Sequence, residues 1–465
     1  MIEGESTAMP LALLAEEVAD LCAREGSDVP AFERLLDSVL FWGFRDPDAL
    51  VEALSSGAGT PPVGAARHLL GGGRLLRHIV SHGLRPGPAG GSGGSGWLEL
   101  CQHQATDYAF GARTGELVQR LRSGDAIPCL LSRPSRPGGA VEPQDLVARL
   151  SAHERAGVRP GAADLGLALL RCGGGPVEPD VLRAAEKLEL PDGPRVVGWL
   201  RQGGLPRPGS WREREAGEPQ RPSRRRGYRT GRRVLIGTEA IEGRGEFPRR
   251  FWSLFRAYEP HISCPHSGPH SRDAHAASVL PWHPEIVAAR QLAEVASVAD
   301  QDGRSGAEFL PALAASEGPA GPAVHLALAY GLAAVPEADR LAAARALVTL
   351  AGRGGLDGAL LGREIAELVG LGTLKVPLLT DSLRAAGGIP GGAAPVWNVM
   401  AAALPGLLAH TRPQLHGPLL AVGADSAALS GARGAIPEVA AIAGRPGSSQ
   451  VVRQARRLRD SLAGA

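Results

Sequence analysis

Two clusters in this sequence hold residue types that could do chemistry. His261, Cys264, His266 and His270, followed by His275 and His283, fall within 23 residues and include five of the chain's 13 His. Imidazole and thiolate are borderline-soft ligands suited to Zn²⁺, and four of them could close a tetrahedral structural site. The spacing H-x-x-C-x-H-x-x-x-H is not that of a standard finger, and no C-x-x-C accompanies it. The expected state is a solvated His-rich loop with no cofactor. The second cluster is Arg221, Arg224, Arg225, Arg226, Arg229, Arg232 and Arg233, with Tyr228 inside it, Trp211 upstream and no acid among them. Guanidinium groups at this density could grip phosphates, and the aromatics could stack a base.

The charge balance weighs against that second use. The whole chain carries 50 basic and 48 acidic residues, a formal +2, too little to demand nucleic acid or an anionic membrane. Residues 206–256 hold 14 Arg against six acids, a local +8 that leaves −6 elsewhere. Lys occurs only at Lys187 and Lys375, so 48 of the cations are Arg. A GC-rich genome produces that ratio by codon bias alone, which lowers what any Arg cluster conveys. The stretch 221–233 reads first as a basic linker and second as a nucleic-acid contact.

Other catalytic patterns are absent or misplaced. A phosphate loop of the form G-x-x-x-x-G-K-[ST] needs a Lys, and neither Lys stands in that context. Formal matches to G-x-G-x-x-G at Gly91–Gly96 and to G-x-S-x-G at Gly90–Gly94 both lie in one Gly/Ser run, without the strand and helix such loops require. His153-Glu154 is followed by Arg155-Ala156-Gly157, so HExxH is missing. Asp46 and Asp48 are helix-start residues rather than an acid–base pair. The expectation is a protein that is not an enzyme.

The elements that must position these clusters are helical. The 465 residues are 44 % hydrophobic and 21 % charged, with 63 Gly, 38 Pro and few aromatics. That composition excludes a collagen-like repeat, a disulfide scaffold and a globally disordered chain. Five scattered Cys, an acidic start at Met1-Ile2-Glu3-Gly4-Glu5, and apolar stretches at 323–335 and 393–408 interrupted by His325 and Asn398 point to a cytoplasmic chain with reduced thiols and no membrane span. The expected fold class is all-α: helical repeats with a C-terminal HEAT-like α-solenoid and an irregular Arg/His-rich insertion.

The organisation reads as five segments. Residues 1–85 are an N-terminal helical segment in which Asp46 caps a helix that starts with Pro47, while Phe41, Trp42 and Phe44 belong to the core. Residues 86–113 are a Gly/Ser linker and connection. Residues 114–205 form a domain of helical pairs, with Leu117, Leu121, Leu146, Val147, Leu150, Leu165, Leu167, Leu170, Leu182, Ala185 and Leu188 at helical spacing. Residues 206–283 are the irregular insertion. Residues 284–465 carry the repeat: helical runs begin near Gly321, Asp357, Ala393 and Gly434, and their partners near Glu337, Lys375, Pro413 and Ser449. A two-helix unit recurring every 36–41 residues is the mark of a HEAT-type solenoid. The turns at Gly354-Gly355, Gly387-Gly388 and Gly434 are expected to supply left-handed C-caps. The last helix, 450–462, carries Arg453, Arg456, Arg457 and Arg459, as a terminal capping helix with a wet face should.

A resemblance adds to this. Leu130-Leu131-Ser132-Arg133-Pro134, Gly139-Ala140-Val141-Glu142-Pro143, the helix 146–150, Ala156-Gly157-Val158-Arg159-Pro160, the run 164–170 and Leu280-Pro281-Trp282-His283-Pro284-Glu285 resemble an uncharacterised actinobacterial helical-repeat family, loosely similar to molybdate-metabolism-regulator proteins. Ser135-Arg136 stands where that family has a Thr-His pair. The resemblance implies a scaffold or adaptor working with protein partners such as a MoxR-type ATPase or a von Willebrand A-domain protein, with no membrane partner. Elemental analysis of the purified protein is expected to return no stoichiometric zinc. One tightly bound equivalent, lost in Cys264→Ala, would instead make the 261–270 patch a metal site.

Overall fold

Leu and Ala recur at three- and four-residue spacing between Pro and Gly breaks, and they fold into a mostly α-helical protein with one small two-stranded sheet. The computed structural model describes residues 9–23, 29–55, 105–215, 233–260, 274–299, 307 and 309–464. Among the described residues no helix is long and apolar enough to cross a membrane.

The N-terminal helices α1 (Leu11–Ala23), α2 (Val29–Arg45) and α3 (Pro47–Ser55) pack mutually. Their shared core includes Leu14, Val18, Phe32, Leu35, Leu36, Val39 and Leu50. Asp46 caps α3 by accepting from the Ala49 N–H at 3.1 Å, and Pro47 occupies the first turn, where a missing N–H costs nothing. Trp42 and Phe44 pack against the core, and the Trp42 indole donates to the Met9 carbonyl at 2.8 Å.

Next come α4 (Ala105–Ser123), α5 (Pro143–Arg155), α6 (Ala162–Arg171), α7 (Pro179–Ala185) and α8 (Gly193–Arg201). All the leucines at helical spacing in this segment are buried except Leu182, which is half-buried. The first helix extends back to Ala105, inside the stretch read as a connection. Its early turns, with Gly111 and Gly115, lack an apolar stripe, and Ala105, Ala109 and Phe110 reach the core only because neighbouring elements meet them.

The segment expected to be irregular contributes core elements. Strands β1 (Ser210–Glu215) and β2 (Arg233–Thr238) pair antiparallel, from Ser210 against Thr238 to Glu215 against Arg233. Every residue of β2 is buried, so Val234-Leu235-Ile236 shows no alternation: both its faces are covered. One cover is helical, because β2 packs on α10 (Pro284–Val298) and α12 (Pro322–Leu332). A 3-10 helix at Arg249–Phe255 then turns Phe251 and Phe255 inward, and Phe247 meets the rings of Trp199 and Phe255 at 5.4 and 4.8 Å. The short α9 (Ala274–Val279) touches α2, α4, α6, α10 and α11 (Leu310–Ala314), joining the N-terminal and C-terminal halves.

The remaining helices are α13 (Glu337–Gly352), α14 (Gly358–Gly370), α15 (Val376–Gly388), α16 (Ala393–His410), α17 (His416–Ser430), α18 (Pro437–Ala443) and α19 (Gln450–Ala463). Contacts skip one helix at a time. α10, α12, α14 and α16 pack in one series, and α11, α13, α15, α17 and α19 in another, with hand-offs between the two such as α12 to α13 and α16 to α17. No strand occurs among the described residues from 284 onward. Gly354 and Gly434 take positive φ, of 73° and 137°, whereas α15 runs through Gly387 and Gly388 and the left-handed residue is Gly391, at 80°. Ala386, in the last turn of that helix, is buried in the core.

A hydroxyl fastens the sheet to the helices. Tyr330 on α12 donates to the Val234 carbonyl at 3.1 Å and accepts from the Val234 N–H at 2.9 Å, at a site with no solvent access. Tyr330→Phe strands both backbone groups and should cost about 1–3 kcal/mol in a chemical denaturation curve. A loss under about 0.5 kcal/mol would show that the anchor is dispensable.

Candidate functional site

Four ionised side chains meet in the interior where α2, α4 and α6 converge. Glu33 on α2 accepts from Arg113 on α4 in a two-pronged pair at 2.7 and 2.6 Å, and from Arg171 on α6 at 2.9 Å. All three are at most 2 % exposed. Arg171 also donates to the Ser278 carbonyl on α9 at 2.8 Å and to the Ser132 carbonyl at 2.5 Å. Asp164, two turns before Arg171 on the same face of α6, accepts from the N–H groups of Leu131 and Ser132 and from the Ser132 hydroxyl. It lies 3.6 Å from the Arg113 Nε. Planar guanidinium groups suit this place because they stay charged and match a carboxylate in two-pronged fashion.

Burial by itself would raise the Glu33 carboxyl, but Arg113 and Arg171 outweigh it and hold the group down at about 2. Burial also lowers both guanidinium groups. For Arg113 the carboxylates Glu33 and Asp164 win and the net direction is up; for Arg171 burial wins, helped by repulsion from Arg113. One turn along α2, Asp37 pairs with Arg133 at 2.5 Å at a more open position.

A second set of ion pairs straps β1 to α14. Arg212 donates to both oxygens of Glu364, at 2.7 and 2.6 Å, and to Glu367 at 2.6 Å; Arg214 reaches Glu367 at 2.7 Å. With those carboxylates taken up, α14 and α16 present little charge, and α12 is buried at every residue but Pro322. Neither α12 nor α16 contains Asp, Glu, Lys or Arg, and Arg363 is the one exposed ionised residue of the three helices. The other series carries mixed charge, including Arg345, Asp381, Arg384, Asp425 and Arg457.

Few of the residues singled out by spacing fall in these sites. Arg233 is described, and it is buried at the start of β2 rather than displayed toward a phosphate. Arg221, Arg224, Arg225, Arg226, Arg229 and Arg232 lie outside the described residues, as do His261, Cys264, His266 and His270. His283 is buried at the start of α10, and its imidazole is pushed down to about 4 by burial and by Arg207, which keeps it neutral. Among the described residues no group of His, Cys, Asp and Glu is placed to hold a metal. Burial raises the free thiols of Cys129 and Cys172 to about 11 and about 12, so neither is a ready nucleophile. A shallow groove of about 440 Å³ between α5 and α7 holds Glu154, Asp180, Arg183 and Lys187, but Glu154 is already engaged by the Glu189 N–H.

Sequence reasoning passed over Glu33, Arg113 and Arg171. The available signals were spacings: Glu33 and Asp37 four apart on α2, Asp164 and Arg171 seven apart on α6, each pair on one helix face. Residues 99–189, which include Arg113, Asp164 and Arg171, match a family described as a domain of unknown function (DUF7824). No curated protein and no solved structure matches the chain.

The charge cluster has a definite acid signature. The Glu33 carboxyl is depressed in the folded state, from 4.5 to about 2, so its stabilising contribution is complete above about pH 5 and is lost as pH falls through about 2. Burial raises Asp37 in spite of Arg133, which gives that residue the opposite slope. Comparison with Glu33→Gln isolates the Glu33 part. The variant should be less stable by about 3–5 kcal/mol at neutral pH, since it leaves buried guanidinium charge uncompensated, and the gap should close toward pH 2. Denaturant midpoints measured from pH 2 to 7 check both.

Proposed function

We propose that this protein is a non-enzymatic scaffold whose C-terminal helices form a HEAT-like α-solenoid that binds protein partners, working in the cytoplasm. The two interleaved series of helices from α10 to α19, with helix starts recurring at 36–41 residues, support the solenoid reading. The observation that carries the binding reading is the segregation of charge between the series. α12 is buried at every residue but Pro322, and of the exposed residues of α14 and α16 only Arg363 is ionised, whereas the other series is charged with both signs in mixture. A nucleic-acid groove needs a continuous cationic lining, whereas a neutral, largely apolar helix face suits a protein segment of like character. The resemblance to the actinobacterial helical-repeat family suggests MoxR-type ATPases and von Willebrand A-domain proteins as the first partners to test.

On α16, Ala394 is exposed and Ala401, two turns on, is half-buried on the same stripe. Native-host extract passed over the immobilised wild-type chain should leave a defined partner that Ala394→Arg/Ala401→Arg fails to retain while melting normally. Equal retention by both chains would refute the use of this face. A titration with DNA and RNA separates the alternative. With Arg233 buried in β2, the other six Arg of 221–232 would support roughly four to five phosphate contacts and a log–log salt slope of about −4 on duplex DNA. The expected result is feeble low-salt binding that vanishes near physiological ionic strength. Sub-micromolar affinity there, lost when Arg224, Arg225 and Arg226 are changed to Ala together, would make this a nucleic-acid-binding protein.

A further inference from the structure

The hairpin has two edges, and the protein covers one of them. On β2 the Tyr330 hydroxyl takes both backbone groups of Val234, and Thr238 exchanges hydrogen bonds with Tyr258 at 3.0 and 2.7 Å. The Glu239 N–H donates to the Gly209 carbonyl at 2.9 Å, so the odd-numbered residues of β1 bond to β2 and the even-numbered ones point away from it. The N–H and C=O groups of Ser210, Arg212 and Arg214 accordingly make no hydrogen bond among the described residues, and all three residues are exposed. An open edge of this kind is a template for another strand. Charged side chains commonly guard such an edge, but those of Arg212 and Arg214 are turned onto α14 by Glu364 and Glu367.

The space beside this edge has a floor. Gly358 and Gly362 of α14 lie against α16, where a Cβ would meet Asn398 and Ala402 at 2.8 and 2.6 Å. Glu364 and Glu367 face β1, and Ala359, Arg363 and Gly370 lie exposed between these two stripes of the helix. A strand laid against β1 would run over that exposed stripe, its side chains alternating between the floor and the solvent side. Arg363 on the floor and Glu213 on the solvent side are exposed, and neither makes an ion pair among the described residues. Trp211, on the same face as Glu213, is 37 % exposed and rests its ring on Gly237. We infer that the edge of β1 takes up an extended segment of a protein partner as a third strand, with an acidic side chain for Arg363 and a basic one for Glu213. This rests on the protein-binding reading and gives that partner its form. Antiparallel pairing puts the basic residue opposite Glu213, the acidic one opposite Arg212 and an apolar one opposite Trp211, consecutive in that order. A second copy of this chain does not fit the antiparallel arrangement. The face of its own β1 that would have to lie on this floor already carries its own α14.

The test uses the full chain and a fluorescent synthetic peptide built on Thr-Lys-Glu-Val-Thr, followed by anisotropy. Saturable binding in the micromolar range is expected. Arg363→Glu should weaken it roughly fivefold or more, and a peptide with Lys in place of its Glu should recover the loss on that chain. Arg363 is exposed and holds no partner among the described residues, so the variant should melt as wild type does. Backbone pairing is read separately. N-methylation of the peptide's Glu, whose N–H faces β1, should abolish binding, whereas N-methylation of its Val, whose N–H points away, should change affinity by less than about threefold. No saturable binding up to several hundred micromolar overturns the proposal. So does an equal loss from the two methyl groups, or an affinity that ignores Arg363→Glu. The peptide is measured without host extract, so the two readings fail separately. A chain that retains a host partner through Ala394 and Ala401 yet ignores the peptide keeps the helix face and refutes the strand edge.

Discussion

The Glu33 carboxylate, held between Arg113 and Arg171, is the constraint on which the placement of the N-terminal half depends. Taking four ionised groups out of water is costly, and the cost is offset only when geometry and hydrogen bonding are nearly complete. Here completeness requires α2, α4 and α6, the loop at Ser132, and Ser278 of α9 to be correctly placed together. A shift of any one of them leaves a guanidinium group or a carboxylate buried without its partner. An apolar contact between the same helices would tolerate sliding; this one does not. Because α9 also touches α10 and α11, the cluster ties the N-terminal half to the start of the helical layers.

The same use of acidic side chains recurs at helix starts. Glu116 on α4 accepts from the N–H groups of Ala163 and Asp164 at the beginning of α6, and Glu285 on α10 accepts from Gly321, Ala323 and Val324 at the beginning of α12. Each carboxylate satisfies free N–H groups and sits at the positive end of the helix dipole, but it comes from another helix rather than from the N-cap position. His325 works similarly: its Nδ1–H donates to the Gly321 carbonyl and its Nε2 accepts from the Asp357 N–H, which leads α12 into α14. Several helices have no side-chain cap of their own and open instead on Pro, as α5, α7, α10, α12 and α18 do. Helix starts are thus stabilised by tertiary neighbours, and neighbouring helices are coupled through them.

The hairpin shows how a small sheet fits a helical protein. β2 is buried on α10 and α12, Tyr330 holds its backbone, and the two arginines of β1 neutralise the carboxylates of α14. The segregated charge that supports a protein-binding reading is therefore partly a product of tertiary ion pairing. Glu364 and Glu367 read as charges on a helix and act as ligands for β1.

Pro, Gly and a 3.6-residue apolar period act locally, so the helical character of the chain, the positions of most helix starts and the inward-facing leucines are legible in the residues alone. Helices begin at Pro322, Glu337, Gly358, Val376, Ala393, Pro437 and Gln450, within a few residues of where the pattern places them. The charge cluster was settled only by the tertiary structure. Glu33 lies 80 residues from Arg113 and 138 from Arg171, and the seven-residue spacing of Asp164 and Arg171 does not point to either Glu33 or Arg113. β2 was equally hidden, since a strand covered on both faces carries no alternation, and Arg233 read as an exposed cation until its strand was packed. Burial, pairing and coverage are relations between distant segments, and a local pattern holds no record of them.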